Sequence, residues 1–307
     1  MPLLTQFFLA DSVFWQLVIS GLATGSVYAL LALAIVLVYR TTRVVNLAQG
    51  EMAMFCTFVA WSLLHRFDYW LVFVITVLIG AVMGALLERT LIRPVEKANP
   101  LVILVVTLAL FSVFNGGAIF LWGKTTGGAL FPTVVPGNPV VKMDGVRIGA
   151  HSLAIMGITV VVMALLYLFF RYTKPGLALR AVADSPEASR LVGIRVAQML
   201  MLGWALSAAV GALAGILIAP LISTSAPLML GVLIFALAAV VVGGLDSAPG
   251  VVLAGLMLGV SQNLYLRYTP GEYLGSGTEL LFALVLILAV LLVRPQGLLG
   301  SRRVKRV

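Results

Sequence analysis

The sequence contains little of the charge that a soluble protein needs on its surface. Only 10% of its 307 residues are charged, whereas 62% are hydrophobic, and the mean hydropathy is +1.13. Soluble domains carry about a quarter charged residues. The chain has too few charged residues to cover the hydrophobic core of a soluble protein of 307 residues. The composition therefore predicts an integral membrane protein whose surface lies mainly in lipid.

Residues that form disulfides or bind metals are scarce as well. The single cysteine, Cys56, excludes a disulfide within the chain and a cysteine-based metal site. The two histidines, His65 and His151, are far apart in the sequence, and the spacing H-E-x-x-H does not occur. We therefore expect no metal site.

Motifs for nucleotide binding and catalysis are missing from the sequence too. Residues 120–125 end in Gly-Lys-Thr like a phosphate-binding loop, but Ala118 stands where that motif requires its first glycine. No G-x-S-x-G nucleophile motif occurs. We expect a non-catalytic chain that binds no cofactor itself, so that ATP and magnesium, if used, would be bound by other subunits.

The net charge of +9 would suggest nucleic-acid binding in a soluble chain. Here the basic residues lie in short gaps between apolar runs and form no continuous basic face. Basic residues in such gaps set the topology of membrane proteins. We therefore expect membrane lipid, and not nucleic acid, around this chain.

A transmembrane helix needs about 20 mostly apolar residues, because the hydrocarbon core is ~30 Å thick and a helix rises ~1.5 Å per residue. One candidate run, 46–64, is weaker than the others because it carries Gln49 and Glu51 near one end. The sequence predicts an all-α polytopic bundle of about nine (8–10) transmembrane helices, in residues 14–39, 46–64, 69–87, 101–122, 153–170, 196–219, 228–245, 251–266 and 279–293.

The distribution of basic residues predicts the orientation, because loops rich in Lys and Arg stay in the cytoplasm. With nine spans and the N-terminus outside, 15 of the 20 Lys and Arg residues fall on the cytoplasmic side. The topology is therefore predicted as N-out and C-in, although eight spans and one re-entrant segment would keep most of the pattern. The longest outer connection, the 123–150 loop, is predicted to be ordered by its prolines and glycines.

The longest inner connection, the 172–195 loop, carries signals for two short helices. Ser185 is a favourable N-cap, Pro186 fits the first helical position, and Glu187 suits the positive end of the helix dipole. Gly193 is placed to end this helix, and residues 177–182 form a second amphipathic segment. Such a loop is either an ordinary interfacial segment or a docking surface for a soluble partner.

The 172–195 loop resembles the cytoplasmic loop of the branched-chain amino acid permeases of ABC importers, in particular the shorter permease of the leucine, isoleucine and valine system. The similar string is G-x-A-L-R-A-V-A-D-x-P-E-A-x-R-L-x-G-I at 176–194. It contains most of the E-A-A-x-x-x-G core that contacts the ATPase subunit in such importers, with Ser189 in place of the second alanine. The resemblance implies an ATPase-coupling surface formed by Arg180, Asp184, Ser185, Pro186, Glu187, Ala188, Ser189, Arg190 and Gly193.

Other segments resemble the same family along almost the whole chain. Two of them depart from the family pattern, with Gln49 where histidine is usual and Asp246 where glycine is usual. The similar strings are G-L-A-T-G-S-V-Y-A-L at 21–30, N-L-A-Q-G-E at 46–51, G-G-L-D-S-A-P-G at 243–250 and R-P-Q-G-L at 294–298.

The resemblance implies a single transmembrane permease domain over residues 1–307, in the plasma (inner) membrane of a bacterium. The implied partners are two ABC ATPase subunits, a second permease that is more often a related chain than a copy, and an extracytoplasmic solute-binding protein. The implied solute is leucine, isoleucine, valine or another amino acid, while urea and short amides use similar permeases.

Polar residues within apolar runs are candidates for the translocation path, because polar groups in hydrocarbon need a protein or water environment. The first group is Asn46, Gln49, Gly50 and Glu51; the alternative for Glu51 is a pair with Arg40 or Arg43 at the headgroup level. The second group is Gly243, Gly244 and Asp246, for which a tight turn between two spans is equally compatible with the sequence.

Further polar residues lie in or near the predicted spans. Asn115 is also a candidate for the path, but for Asn115 and Ser207 a hydrogen bond between helices is the favoured role. Gln262 and Asn263 are compatible with an interfacial position. The pairs Gly21 and Gly25, and Gly211 and Gly215, are predicted to form close helix contacts.

Two other functional classes remain open from the sequence. A secondary transporter or channel would place ionisable residues in mid-span, whereas the only acids near membrane depth, Glu51 and Asp246, lie near span ends. A membrane enzyme or scaffold is disfavoured because the sequence contains no recognisable reactive constellation.

Overall fold

The computed structural model describes residues 2–96, 98–123, 130–143, 146–222, 227–268, 278–294 and 297; side chains are described from residue 12 onward, and not for 142–143. Several basic residues used in the topology prediction lie outside these described parts, as do three residues of the string at 294–298. They are Lys97, Lys124, Arg302, Arg303, Lys305 and Arg306, and Pro295, Gln296 and Leu298.

The described chain is almost entirely helical. In order, its helices are α1 (Pro2–Thr42), α2 (Gln49–Leu63), α3 (Tyr69–Leu87), α4 (Arg93–Val95), α5 (Pro100–Trp122), α6 (Ala150–Tyr172), α7 (Lys174–Asp184), α8 (Pro186–Leu191), α9 (Val196–Ile222), α10 (Leu228–Gly243), α11 (Ala248–Tyr268) and α12 (Thr278–Val293). A π-helical turn, Glu88–Ile92, joins α3 to α4, and two strands, β1 (Val140–Met143) and β2 (Val146–Gly149), precede α6.

Six stretches of described helix are long and apolar enough to cross a membrane. Each contains one of the predicted spans: Ser12–Thr42, Tyr69–Val95, Pro100–Trp122, Ala150–Tyr172, Val196–Ile222 and Ala248–Tyr268. Two shorter apolar helices, Leu228–Gly243 and Thr278–Val293, match two further predictions. The remaining candidate, 46–64, corresponds to α2, which has 15 residues and is one residue shorter than α10 and α12.

By its internal contacts the chain divides into two compact units. Unit 1 draws on residues 1–32, 132–159 and 234–307, and unit 2 on residues 33–131 and 160–233. The helices α1, α6 and α10 each contribute to both units, because the unit boundaries fall within them.

In unit 1, the first part of α1 packs closely against α11. A Cβ atom at Gly21 would lie 2.8 Å from the carbonyl oxygen of Gly259, and one at Gly25 would lie 2.7 Å from that of Gly255. No side chain fits at such distances, so glycine is required for the two backbones to approach this closely. The prediction of a close helix contact at Gly21 and Gly25 is confirmed.

The 123–150 loop contains an antiparallel hairpin, which the sequence analysis did not predict. Strands β1 and β2 pair with Val141 opposite Ile148. The side-chain amide of Gln16 on α1 holds β2: its Nε2 donates to the Arg147 carbonyl at 2.6 Å, and its Oε1 accepts from the Arg147 N–H at 2.7 Å. The Gln16 amide thus exchanges two hydrogen bonds with the backbone of β2, as a residue of a neighbouring strand would do.

In unit 2, α9 is the central helix, and both α2 and α3 pack along it. A Cβ at Gly80 of α3 would lie 2.9 Å from the Ala208 carbonyl oxygen. On the α2 side, a Cβ at Gly215 would lie 2.7 Å from the Ala53 carbonyl oxygen, and Gly211 faces the side chain of Gln49. The predicted packing role of Gly211 and Gly215 is confirmed. Small residues on α9 thus bring three helix backbones together.

The π turn after α3 is explained by a proline. Pro94 has no N–H for the regular helical ladder and its ring crowds the preceding turn, and the chain widens just before it, where the Arg93 N–H donates to the Glu88 carbonyl. The turn also aligns the two side chains: Arg93 Nη2 lies 2.8 Å and Nε 3.3 Å from the carboxylate of Glu88. Glu88 is therefore buried as half of a two-bond ion pair.

Candidate coupling surface and buried polar clusters

The 172–195 loop contains the two short helices that its sequence predicts; the second has its predicted cap, and the first, α7, is longer than the predicted 177–182 and begins at a cap that was not predicted. The Thr173 hydroxyl accepts a hydrogen bond from the Gly176 N–H at 3.1 Å and begins α7. The Ser185 hydroxyl accepts from the Ala188 N–H at 3.3 Å and begins α8. Gly193 ends the second helix with φ +83°, a left-handed conformation that favours glycine.

The 172–195 loop is fixed to unit 2 along one side. Val182 of α7 packs with Val196 and Leu200 of α9 in one buried cluster. The guanidinium of Arg43, just after α1, donates a 2.6 Å hydrogen bond to the Ala183 carbonyl near the end of α7. Hydrophobic packing and this charged hydrogen bond fix α7 against α9 and the end of α1.

The 172–195 loop also carries two exposed apolar residues that the sequence analysis missed. Leu191 is 89% exposed and Val192 75% exposed. They follow Arg190, whose guanidinium lies 3.7 Å from the Glu96 carboxylate. The sequence did contain a signal for these two residues. They are an apolar pair between Arg190 and the terminating Gly193, on a helix too short to bury residues on both of its sides.

The residues assigned to the coupling surface by family resemblance divide into two groups. Ser189 is buried and Ser185 half-buried, so these two support the loop from within. The remaining ones are exposed, as Leu191 and Val192 are: Arg180, Asp184, Pro186, Glu187, Ala188, Arg190 and Gly193.

The structure brings the first group of path candidates into a buried hydrogen-bond network in unit 2. The amide of Gln49 is its centre: Nε2 donates to the Ser207 carbonyl at 3.1 Å, while Oε1 accepts from Asn46 at 3.1 Å and from the Ser207 hydroxyl at 3.0 Å. The Ser207 hydroxyl also lies 2.7 Å from the Ala34 carbonyl oxygen. The network joins α1, α2 and α9, and the prediction that Ser207 bonds between helices is confirmed.

Next to this network, Gly50, the second residue of α2, lies close against Leu233 of α10. A Cβ at Gly50 would lie 3.1 Å from the Cβ of Leu233. The following residue, Glu51, is buried, and its carboxylate accepts a 3.0 Å hydrogen bond from Asn115 on α5. The favoured role of Asn115, a bond between helices, is confirmed. A path role for Asn46, Gln49, Gly50, Glu51 and Asn115 stays a prediction.

The second group of path candidates forms a tight turn between α10 and α11. Gly244 has φ +96°, and its N–H donates to the Val240 carbonyl at 3.0 Å. The Ser247 N–H donates to the Gly244 carbonyl at 2.9 Å, and the Ser247 hydroxyl accepts from the Gly250 N–H at 3.2 Å. Asp246 is half-buried in this turn. Of the two alternatives, the tight turn is observed for Gly243, Gly244 and Asp246, and a path role stays a prediction.

A third polar cluster, in unit 1, includes two residues that sequence reasoning missed. The hydroxyl of Tyr28 donates to Gln262 at 2.6 Å, and the amide of Gln262 donates to the carboxylate of Glu279 at 3.4 Å. The ring of Tyr28 stacks on Phe235 with centroids 4.9 Å apart. Sequence spacing does not reveal this cluster, because its members come from α1, α10, α11 and α12. Its hydrogen bonds pair polar side chains that lie between these helices.

Replacing Gln49 with leucine should destabilise unit 2 with little change in volume. The bonds from Asn46 and to the Ser207 carbonyl would be lost, and each buried group left unpaired costs about 1–3 kcal/mol. We expect a clearly lower unfolding temperature of the detergent-solubilised protein. Gln198→Leu, on an exposed part of α9, is the matched control. Equal unfolding temperatures for Gln49→Leu and the wild type would show that the network contributes nothing net.

Comparison with known proteins gives one family and several relatives. The family model described as "Branched-chain amino acid transport system / permease component" matches residues 17–293. The high-affinity branched-chain amino acid transport system permease protein BraD of Pseudomonas aeruginosa is 31% identical over 308 residues, which cover 95% of this chain and 97% of the relative. No solved structure matches the chain significantly.

Two further relatives carry similar names. The high-affinity branched-chain amino acid transport system permease protein LivH of Escherichia coli is 30% identical over 310 residues, 96% of this chain and 98% of the relative. The probable branched-chain amino acid transport permease protein LivH of Methanocaldococcus jannaschii is 30% identical over 302 residues, 92% of each chain. The similarity therefore extends over nearly the full length of each.

Proposed function

The chain belongs to the family of branched-chain amino acid transport system permease components, and on this premise we propose that it is the permease subunit of an ATP-driven ABC importer for leucine, isoleucine or valine. It is a transport subunit and not an enzyme, and its long apolar helices make it a multi-pass membrane protein. In the proposal it forms half of the translocation path as one transmembrane domain in the inner membrane of a bacterium.

One observation carries the proposal beyond family membership: the capped 172–195 loop with Leu191 and Val192 exposed on its surface. Exposed apolar side chains in a segment with charged and polar residues are typical of a protein–protein interface. Two ATPase subunits supply the partner surfaces, one on this loop and one on the equivalent loop of a second, related permease. ATP and magnesium are bound by those subunits, and this chain needs no cofactor.

In this proposal the 172–195 loop lies in the cytoplasm, the N-terminus lies outside and about nine segments contribute to the membrane domain. The basic residues in and next to the loop support the orientation, since four lie within it and a fifth directly precedes it: Lys174, Arg180, Arg190 and Arg195, and Arg171. An extracytoplasmic binding protein delivers the solute to the opposite side, where the hairpin of the 123–150 loop and its support from Gln16 provide an ordered surface.

The proposal is tested by uptake into proteoliposomes that contain the chain with its neighbouring permease, ATPases and binding protein. We expect uptake of radiolabelled leucine that requires ATP inside the vesicles, and no uptake by this chain alone under an ion gradient. Labelled urea serves as the competing solute. Uptake by the isolated chain driven by an ion gradient would contradict the proposal and favour a secondary transporter.

A further inference from the structure

A groove of about 570 Å³ lies on the surface of unit 2, between α2 and α3. One wall is Phe55 of α2, and the other is formed by seven apolar residues of α3 between Ile75 and Leu87. Their spacing of three and four residues places them on one face of the helix. Leu78 and Val82 of this face are more than half exposed. The α3 groove can therefore take up an elongated apolar group from its surroundings.

The ends of the helix that carries this groove show where it lies in the membrane. The apolar stretch Tyr69–Val95 has an exposed tryptophan, Trp70, near its start and an exposed arginine, Arg89, near its end. Tryptophan is enriched at membrane–water interfaces, and arginine near a helix end reaches the headgroups. At ~1.5 Å per residue these two residues are about 28 Å apart, close to the ~30 Å of the hydrocarbon core. They therefore mark the two headgroup levels.

The α3 groove is confined to the half of the membrane that ends at Arg89. From Ile75 to Leu87 it measures about 18 Å, and one leaflet accounts for about 15 Å of the hydrocarbon core. A helix of another protein would run along α3 through both leaflets. The acyl chain of a phospholipid extends through one leaflet only, so the length of the groove favours a lipid chain.

The residue at the headgroup end of the groove carries a positive charge that is available to a ligand. Glu88, next to Arg89, is buried, and both of its carboxylate oxygens accept bonds from Arg93. Within the described parts of the chain, no carboxylate lies within ion-pair distance of Arg89. A guanidinium can hold two oxygens of a phosphate group with parallel N–H bonds. Arg89 is thus placed to bind the phosphate of a lipid whose chain lies in the groove.

The surroundings of Arg89 also select the charge of the headgroup. A zwitterionic headgroup carries an ammonium group that needs an acceptor, and the carboxylate of Glu88 is already occupied by Arg93. An anionic headgroup with neutral hydroxyls needs no such acceptor. Each basic residue near the membrane surface attracts anionic lipid by an amount that corresponds to about a fivefold preference.

We propose that the α3 groove binds one anionic phospholipid, with its phosphate on Arg89 and one acyl chain between Phe55 and α3. The chain packs on two helices at once, because Met83 and Leu87 of α3 belong to the same cluster as Met52 of α2. A lipid bound to the folded protein therefore stabilises unit 2. The inference depends on α3 lying in the membrane and is independent of the transported solute and of the ATPases.

The test is native mass spectrometry of the purified full chain, titrated with phosphatidylglycerol or phosphatidylethanolamine that carry identical acyl chains. We expect one tightly bound phosphatidylglycerol, with about fivefold higher affinity than phosphatidylethanolamine. Arg89→Gln should remove this preference. Val82→Trp, which fills the groove, should weaken binding of both lipids at least about tenfold, because two or more CH₂ groups of the chain lose their contacts.

Each variant has a matched control. Arg171→Gln removes an exposed arginine at the end of another apolar helix, α6, and Val74→Trp enlarges a residue of α3 that is exposed but does not line the groove. Both controls should bind the two lipids as the wild type does.

The inference would be overturned by phosphatidylglycerol binding that is the same in wild type, Arg89→Gln and Val82→Trp. A wild-type dimer that Val82→Trp dissociates, with lipid binding unchanged, would also overturn it and identify the groove as a contact between two copies of the chain. Neither result bears on ATP-driven uptake, so failure of this inference leaves the proposed function as it stands.

Discussion

Replacing both Leu191 and Val192 with aspartate is expected to abolish ATP-driven uptake while the permease remains folded in the membrane. Both side chains are exposed on the outer side of the 172–195 loop, at 89% and 75%, so neither contributes to the core of unit 2. Covering each apolar side chain by an ATPase contributes about 1.5–3 kcal/mol. Loss of both contacts, with two carboxylates to desolvate, should weaken ATPase binding by more than about a hundredfold.

The measurement is co-purification of the ATPases with tagged permease, combined with leucine uptake into proteoliposomes. The control is Leu130→Asp, because Leu130 is equally exposed, at 91%, but lies in the 123–150 loop on the side predicted to be external. Its ATPase content should equal that of the wild type. If the double variant keeps normal ATPase yield and uptake, the 172–195 loop is not the docking surface.

Replacing Gly25 with leucine is expected to prevent unit 1 from folding. A Cβ at this position would lie 2.7 Å from the Gly255 carbonyl oxygen and 2.9 Å from the Leu256 Cα. Both neighbours are backbone atoms of α11, so no side-chain rotation can make room, and the two helices would have to separate. Overpacking of this kind costs more than about 3 kcal/mol when the backbone itself must move, which is a large part of a typical folding free energy.

The yield of monodisperse protein after detergent extraction measures this effect, with the unfolding temperature of any recovered protein as a second readout. Gly157→Leu is the control. Gly157 is an exposed residue of α6, and nothing lies within 4 Å of the position that its Cβ would occupy. The control should behave as wild type. Normal yield and unfolding temperature for Gly25→Leu would mean that α1 and α11 do not pack as closely as described.

Local signals in the sequence gave correct predictions where all the interactions that determine a feature lie within one segment of the chain. The caps of α8 are an example: Ser185, Pro186 and Gly193 act through their own backbone and near neighbours, so their roles are readable without a fold. The close packing of Gly21 and Gly25 was also readable, because two glycines four apart lie on the same face of a helix. Their partner helix, α11, was not.

Polar residues in apolar runs were correctly recognised as special, but their role depends on neighbours distant in sequence. Gln49 was assigned to a transport path from its position alone, and that role stays a prediction. Its contacts with Asn46 and Ser207, which place it at the centre of a buried network, could not be read from the sequence. Glu279 attracted no attention in the sequence, although it bonds Gln262. A polar side chain finds its partner only after helices pack, so a single segment cannot reveal which role it has.

The sequence by itself determined that this protein is a helical membrane permease component and where most of its long helices lie, because hydrophobic length and cap chemistry are local properties of the chain. Only the tertiary structure decided that α2 is a short helix packed against α9, that Leu191 and Val192 lie exposed beside the caps, and that Phe55 and α3 line one groove. These features depend on which segments meet in space, and that follows from the simultaneous packing of helices and not from any one of them.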